Sequence, residues 1–163
     1  MKNLNDCLFS SKDHTWETPV DFFVFLDVIF RFNLDVCATP STAKCERFFT
    51  PEEDGLAQDW EGMCWMNPPY GRQQVKWIKK ACEEFEKGTS KVVCLIPARP
   101  DTKVWQDIIF KKATAVCFIA GRIKFGDSEN AAPFPSALVI FDNDITEEQV
   151  KSLEVLGKTF LIN

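Results

Sequence analysis

The chain has 163 residues, 45% of them hydrophobic and 26% charged, which is the composition of an ordinary globular domain. Its single histidine, His14, argues against a Ser-His-Asp triad, a Cys-His pair or a histidine-ligated metal. The longest apolar run near the N-terminus, residues 22–26, is far shorter than the roughly 20 residues of a membrane span, and no signal-peptide pattern precedes it. We therefore expect a cytoplasmic protein that works with carboxylates, amides, backbone groups and aromatic rings.

The first predicted elements follow a polar start. Residues 1–15 are expected to form a flexible arm. A helix is predicted next, with Thr18 as its N-cap, Pro19 at its first helical position and Phe30 near its end. Because this run is apolar almost all round, the helix is expected to be largely buried. Residues 32–36 alternate in polarity, which predicts the first strand.

The middle of the chain predicts a strand, a break and a helix. A strand over residues 63–66 runs into an Asn-Pro-Pro-Tyr-Gly segment that can continue neither a strand nor a helix. A helix from Gln73 to Gly88 follows, because apolar residues recur there at helical spacing. The remaining predicted elements are a buried strand 92–96, a short helix from Thr102, strands 115–120 and 137–141, a helix capped by Thr146 and Gln149 that ends at Gly157, and a last strand 159–162.

Strands that alternate with helices predict an α/β fold. We expect residues 16–163 to form one domain, with a mostly parallel central sheet and helices on both of its faces. The seven cysteines are dispersed and include no Cys-x-x-Cys pair, so they predict reduced thiols and no metal site.

Charge is distributed unevenly along the chain, although the net charge of −5 by itself argues against a nucleic-acid partner. Residues 67–124 hold twelve lysines and arginines against five acids, whereas the rest of the chain holds seven against nineteen. This segregation either forms one positive face suited to nucleic acid or is spread over several solvated helix faces. The sequence leaves both interpretations open.

The segment Asn67-Pro68-Pro69-Tyr70 carries the chemistry, because ligands of open α/β sheets bind beyond the carboxyl ends of strands. The exocyclic amine of adenine is a poor nucleophile, since its lone pair is delocalised into the ring. The Asn67 side-chain carbonyl and the Pro68 backbone carbonyl could accept its two hydrogens and drive the nitrogen towards tetrahedral geometry. Pro69 would stiffen the turn, and Tyr70 would offer a ring on which a base stacks. The alternative is an ordinary proline-rich turn with a helix-capping asparagine.

Several blocks of the chain together resemble the phage-type, Dam-like DNA adenine-N6 methyltransferase family. The resemblance extends from about Trp16 to Asp142. It implies a Rossmann-like methyltransferase domain, S-adenosylmethionine as methyl donor, and a flipped-out adenine of double-stranded DNA as acceptor. For a phage-encoded protein it also implies the cytoplasm of a bacterial host. The matching blocks are Trp16 to Pro19, Leu34 to Ala38, Phe48 to Leu56, Trp65 to Tyr70, Leu95 to Arg99 and Gly121 to Phe125.

The resemblance also implies site residues. The segment before the first strand would hold the methionine end of the cofactor, and the end of that strand would face its sulfonium or amine. Acidic residues before the second strand would hold ribose hydroxyls or the cofactor's adenine. The cofactor residues expected are Trp16, Thr18, Pro19, Asp35, Cys37, Ala38, Asp54 and Asp59. The residues expected to contact DNA phosphates or line the base pocket are Arg72, Arg99, Lys103, Arg122, Lys124 and Phe125.

Two other functions remain open. The motif Asn-Pro-Pro-Tyr also serves enzymes that methylate RNA or the glutamine amide of a protein. A second alternative is a non-catalytic DNA-binding protein that keeps the methyltransferase fold. It is suggested by residues 36–44, which contain no glycine where many methyltransferases have a glycine-rich loop.

Overall fold

A computed structural model describes residues 16–163, so the arm predicted for residues 1–15, together with His14, lies outside the described part. A 3₁₀ turn, Gly55–Ala57, precedes the second strand, and a π-helical turn, Trp105–Ile109, leads into the third α-helix. Over the described residues the elements are α1 (Val20–Phe30), β1 (Leu34–Asp35), β2 (Gly62–Met66), α2 (Gln74–Glu86), β3 (Ser90–Pro97), α3 (Phe110–Lys112), β4 (Ala115–Ile119), β5 (Ser136–Phe141), α4 (Glu147–Leu153) and β6 (Gly157–Leu161).

The six strands form one mixed sheet in the order β1-β2-β3-β5-β4-β6. The first three strands are parallel, but β5 runs antiparallel to both β3 and β4, and β6 runs antiparallel to β4. The prediction of a mostly parallel sheet is therefore wrong. A parallel neighbour requires a crossover connection, usually through a helix, and the chain has no helix between β4 and β5.

Strands β1 to β4 all end at one edge of the sheet, because β3 and β4 are both antiparallel to β5. We call this edge the carboxyl edge. The segments that leave it are residues 36–44 after β1, 67–73 after β2, 98–104 after β3 and 120–126 after β4. This edge is where the predicted chemistry should lie.

Helices cover both faces of the sheet, as the sequence predicts. On one face α1 and α4 pack over Trp65, Val93 and Leu95. On the other face α2 and the turn before α3 pack over Cys64, Met66 and neighbouring side chains of β3. These side chains alternate along each strand between the two core clusters. The α/β prediction is confirmed.

Helix α1 differs from its prediction in two ways. It begins at Val20 with Pro19 as its N-cap, and no side chain caps it. Its outer side exposes a stripe of valines, of which Val28 is 77% exposed. Only one face of the helix is buried, so the prediction of a largely buried helix is wrong. No helix within residues 16–163 combines the length and the apolar character that a membrane crossing needs.

The predicted first strand and the predicted last helix need smaller corrections. Strand β1 spans only two residues, and the segment from Arg47 to Phe49 lies parallel beside it, joined through the backbone of Asp35. The capping box of Thr146 and Gln149 is confirmed. Gly157, however, does not end α4 but begins β6, where it pairs with Ile119.

Candidate active site

Asn67 is the first residue beyond β2, at the carboxyl edge. Its side-chain nitrogen Nδ2 donates one hydrogen to the Trp16 carbonyl at 2.7 Å and the other to Thr18 Oγ1 at 3.0 Å. A backbone carbonyl can only accept, so the amide nitrogen, and not its oxygen, has to face Trp16. The orientation of this amide is therefore fixed by its neighbours.

The other end of the amide is free. Asn67 Oδ1 is buried and accepts no hydrogen bond from any of the described residues 16–163. Leaving a buried acceptor unpaired costs about 1–3 kcal/mol, so such an atom in a folded protein requires an explanation. An acceptor aimed at a substrate N–H group provides one.

The segment that holds Asn67 is itself held in place. The carbonyl of Glu17 accepts the backbone N–H of Gly126 at 2.8 Å, and the Glu17 carboxylate forms an ion pair with Lys44 at 3.1 Å. Glu17 stands between the two residues that accept from Asn67. Loops that follow β1 and β4 thus brace the residues beside the motif.

A second acceptor is adjacent to the first. Pro68 is buried and Pro69 is exposed. Within residues 16–163 the Pro68 carbonyl accepts no hydrogen bond from the rest of the chain. Neither proline has an N–H group, so Pro68 and Pro69 can offer only acceptors.

Tyr70 lies in an aromatic cluster formed with Trp16, Phe125 and Phe134. Its ring centroid is 6.0 Å from that of Trp16, with the planes inclined by 27°, and 5.4 Å from that of Phe134. Its hydroxyl donates to the Leu95 carbonyl at 3.5 Å. Burial raises the pKa of the Tyr70 phenol well above its ordinary value, so this hydroxyl stays neutral. The cluster includes Trp16, whose carbonyl accepts from Asn67, and the rings of Trp16 and Tyr70 are partly exposed.

Asp35, the last residue of β1, orders the loop that follows it. Its two carboxylate oxygens accept the backbone N–H groups of Cys37 at 3.3 Å and of Lys44 at 3.0 Å. Burial raises its pKa to about 6, although these two donors and the Lys44 ammonium oppose the rise. The carboxylate closes the loop of residues 36–44 on itself.

The other residues expected around the cofactor are divided between the two edges. Cys37 and Ala38 follow β1, and burial raises the pKa of the Cys37 thiol to about 12. Asp54 is exposed, and it precedes Gly55, which lies against the Val36 carbonyl at the carboxyl edge. Asp59 precedes β2, and so lies at the opposite edge, where it pairs with Lys87 at 3.4 Å. The structure does not bring Asp59 together with Asn67.

The cations expected to contact DNA all follow strands at the carboxyl edge. Arg72 follows β2, Arg99 and Lys103 follow β3, and Arg122 and Lys124 follow β4. All five are exposed. Within the described residues none of them pairs with a carboxylate, although the Arg122 guanidinium donates to the Ala132 carbonyl at 3.4 Å.

Lysines at the opposite edge are neutralised by acidic partners. Lys87 and Lys80 share buried Glu84, Lys91 pairs with Asp142, and Lys112 pairs with Glu86. Some lysines and arginines of residues 67–124 therefore form ion pairs with carboxylates of the described residues, and others do not. The unpaired ones include the five cations that follow strands at the carboxyl edge, the edge at which Asn67 lies.

No disulfide joins the cysteines of the described residues, which are Cys37, Cys45, Cys64, Cys82, Cys94 and Cys117. Between residues 16 and 163 no three His, Cys, Asp or Glu side chains come together in the manner of a metal site.

Comparison with known proteins assigns the chain to a family. Residues 7–158 match the family model described as DNA N-6-adenine-methyltransferase (Dam). A DNA N-6-adenine-methyltransferase of Haemophilus phage HP1 is 32% identical over 152 residues, which cover 88% of this chain and 86% of the relative. The chain belongs to the DNA N-6-adenine-methyltransferase family. A second member, from Escherichia phage T1, is 31% identical over 90 residues, which cover 53% of this chain and 37% of that relative.

Membership of the DNA N-6-adenine-methyltransferase family confirms the family and the enzyme class that the sequence predicts. Two parts of this family member's site could not be predicted from local sequence patterns. Phe134, which is 7% exposed, completes the aromatic cluster, and Lys44 anchors Glu17. The prolines on both sides of Phe134 indicate a rigid backbone at this residue. They do not indicate that its ring contacts Tyr70, which depends on the tertiary fold.

Proposed function

We propose that this chain transfers a methyl group from S-adenosylmethionine to the N6 amine of adenine in double-stranded DNA, in the cytoplasm of the host cell. Residues 16–163 act as one Rossmann-like methyltransferase domain in this proposal. The observation that carries it is the free, buried Oδ1 of Asn67 beside the free carbonyl of Pro68. Two acceptors without neighbouring donors match an NH₂ group, and the family name supplies the purine that bears it.

The residues at the end of β1 fit the proposed cofactor. When bound, S-adenosylmethionine would supply the methyl group of its sulfonium, whose S–C bond breaks as the thioether S-adenosylhomocysteine leaves. The exposed Asp54 carboxylate is suited to ribose hydroxyls, and the Trp16 ring is suited to a neighbouring cation. Both carboxylate oxygens of Asp35 are engaged by the loop, so Asp35 acts by shaping that loop.

The motif residues prepare the amine for reaction. Asn67 Oδ1 and the Pro68 carbonyl accept its two hydrogens, which localises the lone pair on N6 and directs it at the methyl carbon. The partly exposed ring of Tyr70 stacks with the extruded base, which contributes about 1–3 kcal/mol. The neutral phenol of Tyr70 is no base, so after transfer the surplus proton of N6 leaves to solvent.

The unpaired cations offset the cost of extruding the base. Removing an adenine from the duplex costs a few kcal/mol of stacking and pairing, and phosphate contacts supply binding energy in return. We propose that Arg72, Arg99, Lys103 and Lys124 make these contacts and that Arg122 also shapes its own loop.

The lack of glycine in residues 36–44, which suggested the non-catalytic alternative, does not prevent this loop from folding. Within the described part of the chain, every residue with a positive φ lies outside residues 36–44. The loop therefore forms through Asp35 without needing a glycine.

The test replaces Asn67 by alanine and measures transfer of labelled methyl groups to DNA. Asn33→Ala is a matched control, because Asn33 is an exposed asparagine at the opposite edge. We expect Asn67→Ala to lower the rate by about a hundredfold or more, as when one preorganised polar group is lost from an active site, while the control keeps its rate. RNA and protein acceptors are assayed in parallel. An undiminished rate in Asn67→Ala would overturn the assignment of Asn67, and transfer only to RNA or protein would overturn the substrate.

A further inference from the structure

We propose that Thr18 is a positioning residue for methyl transfer, which acts by locking the amide of Asn67. This proposal rests on the proposed function, because it concerns the same acceptor oxygen. It assigns Thr18 to the substrate side of the site, whereas the resemblance places this residue beside the cofactor.

Thr18 contacts Asn67 directly. Thr18 is 3% exposed, and its hydroxyl oxygen accepts from Asn67 Nδ2 at 3.0 Å. The same side chain does not cap α1, whose N-cap is Pro19 and which has no side-chain cap. The hydroxyl is thus diverted from the role that its position before a helix predicts.

Two hydrogen bonds restrict rotation of the Asn67 side-chain amide. The two ends of a side-chain amide have nearly the same size, but one end donates and the other accepts, so its hydrogen-bond partners decide which end points where. The Trp16 carbonyl alone fixes one N–H of Asn67. The Thr18 hydroxyl fixes the second N–H, so that the plane of the amide, and with it Oδ1, has one direction.

The segment that carries the two acceptors is itself held in place. The backbone of residue 17, between the two acceptors, is bonded to Gly126, and its side chain is paired with Lys44. A partner that is itself immobile can hold a catalytic group within the tolerance that chemistry requires. Thr18 therefore raises the fraction of time that Oδ1 spends facing the amine.

The variants Thr18→Val and Thr18→Ser test this role. Valine keeps the shape of threonine and removes the hydroxyl, whereas serine keeps the hydroxyl. Loss of one hydrogen bond to the amide should lower kcat about tenfold in Thr18→Val, with KM for S-adenosylmethionine unchanged, and Thr18→Ser should recover most of the rate. A raised cofactor KM at unchanged kcat would instead assign Thr18 to the cofactor, and equal losses in both variants would assign it to packing. Either result overturns the proposal.

A measurement without turnover separates this proposal from the proposed function. In the NMR spectrum of ¹⁵N-labelled protein, both Asn67 side-chain N–H protons should be shifted downfield as hydrogen-bonded donors. In Thr18→Val one of them should move upfield and exchange faster, while Thr18→Ser keeps the wild-type pattern. Unchanged Asn67 signals in Thr18→Val would overturn the positioning role. If wild-type protein failed to methylate DNA while these shifts appeared, the proposed function alone would fail.

Discussion

The amide of Asn67 shows how one side chain can serve the fold and the chemistry at once. Its nitrogen is fully engaged by Trp16 and Thr18, and its oxygen is left buried and unpaired. The protein thereby maintains an unsatisfied acceptor, which is costly unless a ligand pairs with it. The sequence predicted Asn67 as the acceptor, but not that Thr18 would hold it. A threonine oxygen before a helix can cap that helix or bond elsewhere, and tertiary structure decides between the two.

Asp35 leads to a prediction about pH. Its pKa rises from the ordinary value of 3.8 to about 6 in the folded protein. Between these two pH values the folded state therefore binds more protons than the unfolded state, so the contribution of this group to stability falls as pH rises from about 4 to about 6 and is constant above that. The total loss is roughly 3 kcal/mol, since one pKa unit corresponds to about 1.4 kcal/mol.

The variant Asp35→Asn isolates this contribution, because asparagine does not titrate. Urea unfolding of both proteins at pH 4.5 and pH 7 gives the comparison. We expect the stability of the variant relative to the wild type to be lower at pH 4.5 than at pH 7, because only the wild type loses the contribution of Asp35 as the pH rises. A relative stability that is the same at both pH values, or lower at pH 7, would show that Asp35 does not titrate as described.

At the scale of elements, the end of β1 depends on a close contact that only glycine permits. A Cβ atom at Gly55 would lie 2.2 Å from the Val36 carbonyl oxygen, which is backbone and cannot move aside alone. The Trp60 indole also donates to the Gly55 carbonyl at 2.8 Å. The close contact between Gly55 and Val36 places the preceding residue, Asp54, at the carboxyl edge. The sequence indicated turns in this region but gave no sign of which strand they would approach.

We predict that Gly55→Ala lowers the free energy of unfolding by about 1–3 kcal/mol through overpacking. Gly88→Ala is the comparison, because a Cβ atom there meets nothing within 4 Å, although its φ of +84° disfavours alanine. That variant should lose only about 1 kcal/mol, the conformational cost of a left-handed residue. Denaturant unfolding of both variants makes the comparison. If Gly55→Ala were as stable as the wild type, the contact between residue 55 and the Val36 carbonyl would not require glycine.

The order of the elements could be read from local patterns, whereas their pairing could not. Each predicted strand and helix has a counterpart, because periodicity and capping residues act over a few neighbours. The direction of β5 depends on the segment between Ile119 and Ser136, which returns without a helix and places β5 between β3 and β4. Alternating polarity carries no information about such long-range neighbours.

At the scale of the whole molecule, the fold separates paired from unpaired cations. The sequence showed an excess of positive charge in residues 67–124, but not where it would lie. Acids at the opposite edge neutralise Lys87, Lys91 and Lys112. No carboxylate among the described residues pairs with the five exposed cations Arg72, Arg99, Lys103, Arg122 and Lys124, so a protein of net charge −5 can present a local site for phosphates.

The double variant Arg99→Ala with Lys124→Ala tests this surface. If both side chains contact phosphates, log K for duplex DNA should depend less steeply on log salt, with the slope reduced by up to about 2. Lys111→Ala is the control, because Lys111 is exposed at the opposite edge and pairs there with Asp107. Fluorescence anisotropy between 50 and 200 mM salt measures the slopes. Equal slopes for the double variant and the wild type would place the DNA elsewhere.

The most direct test of the account is the distance between Asn67 Oδ1 and the adenine N6 atom. It can be measured in a crystal structure of the protein with duplex DNA and S-adenosylhomocysteine, which binds without methyl transfer. We predict an extruded adenine whose N6 lies within about 3.2 Å of both Oδ1 and the Pro68 carbonyl oxygen, the distance of an N–H···O hydrogen bond. An adenine that faces other groups, with Asn67 Oδ1 still unpaired, would contradict the account.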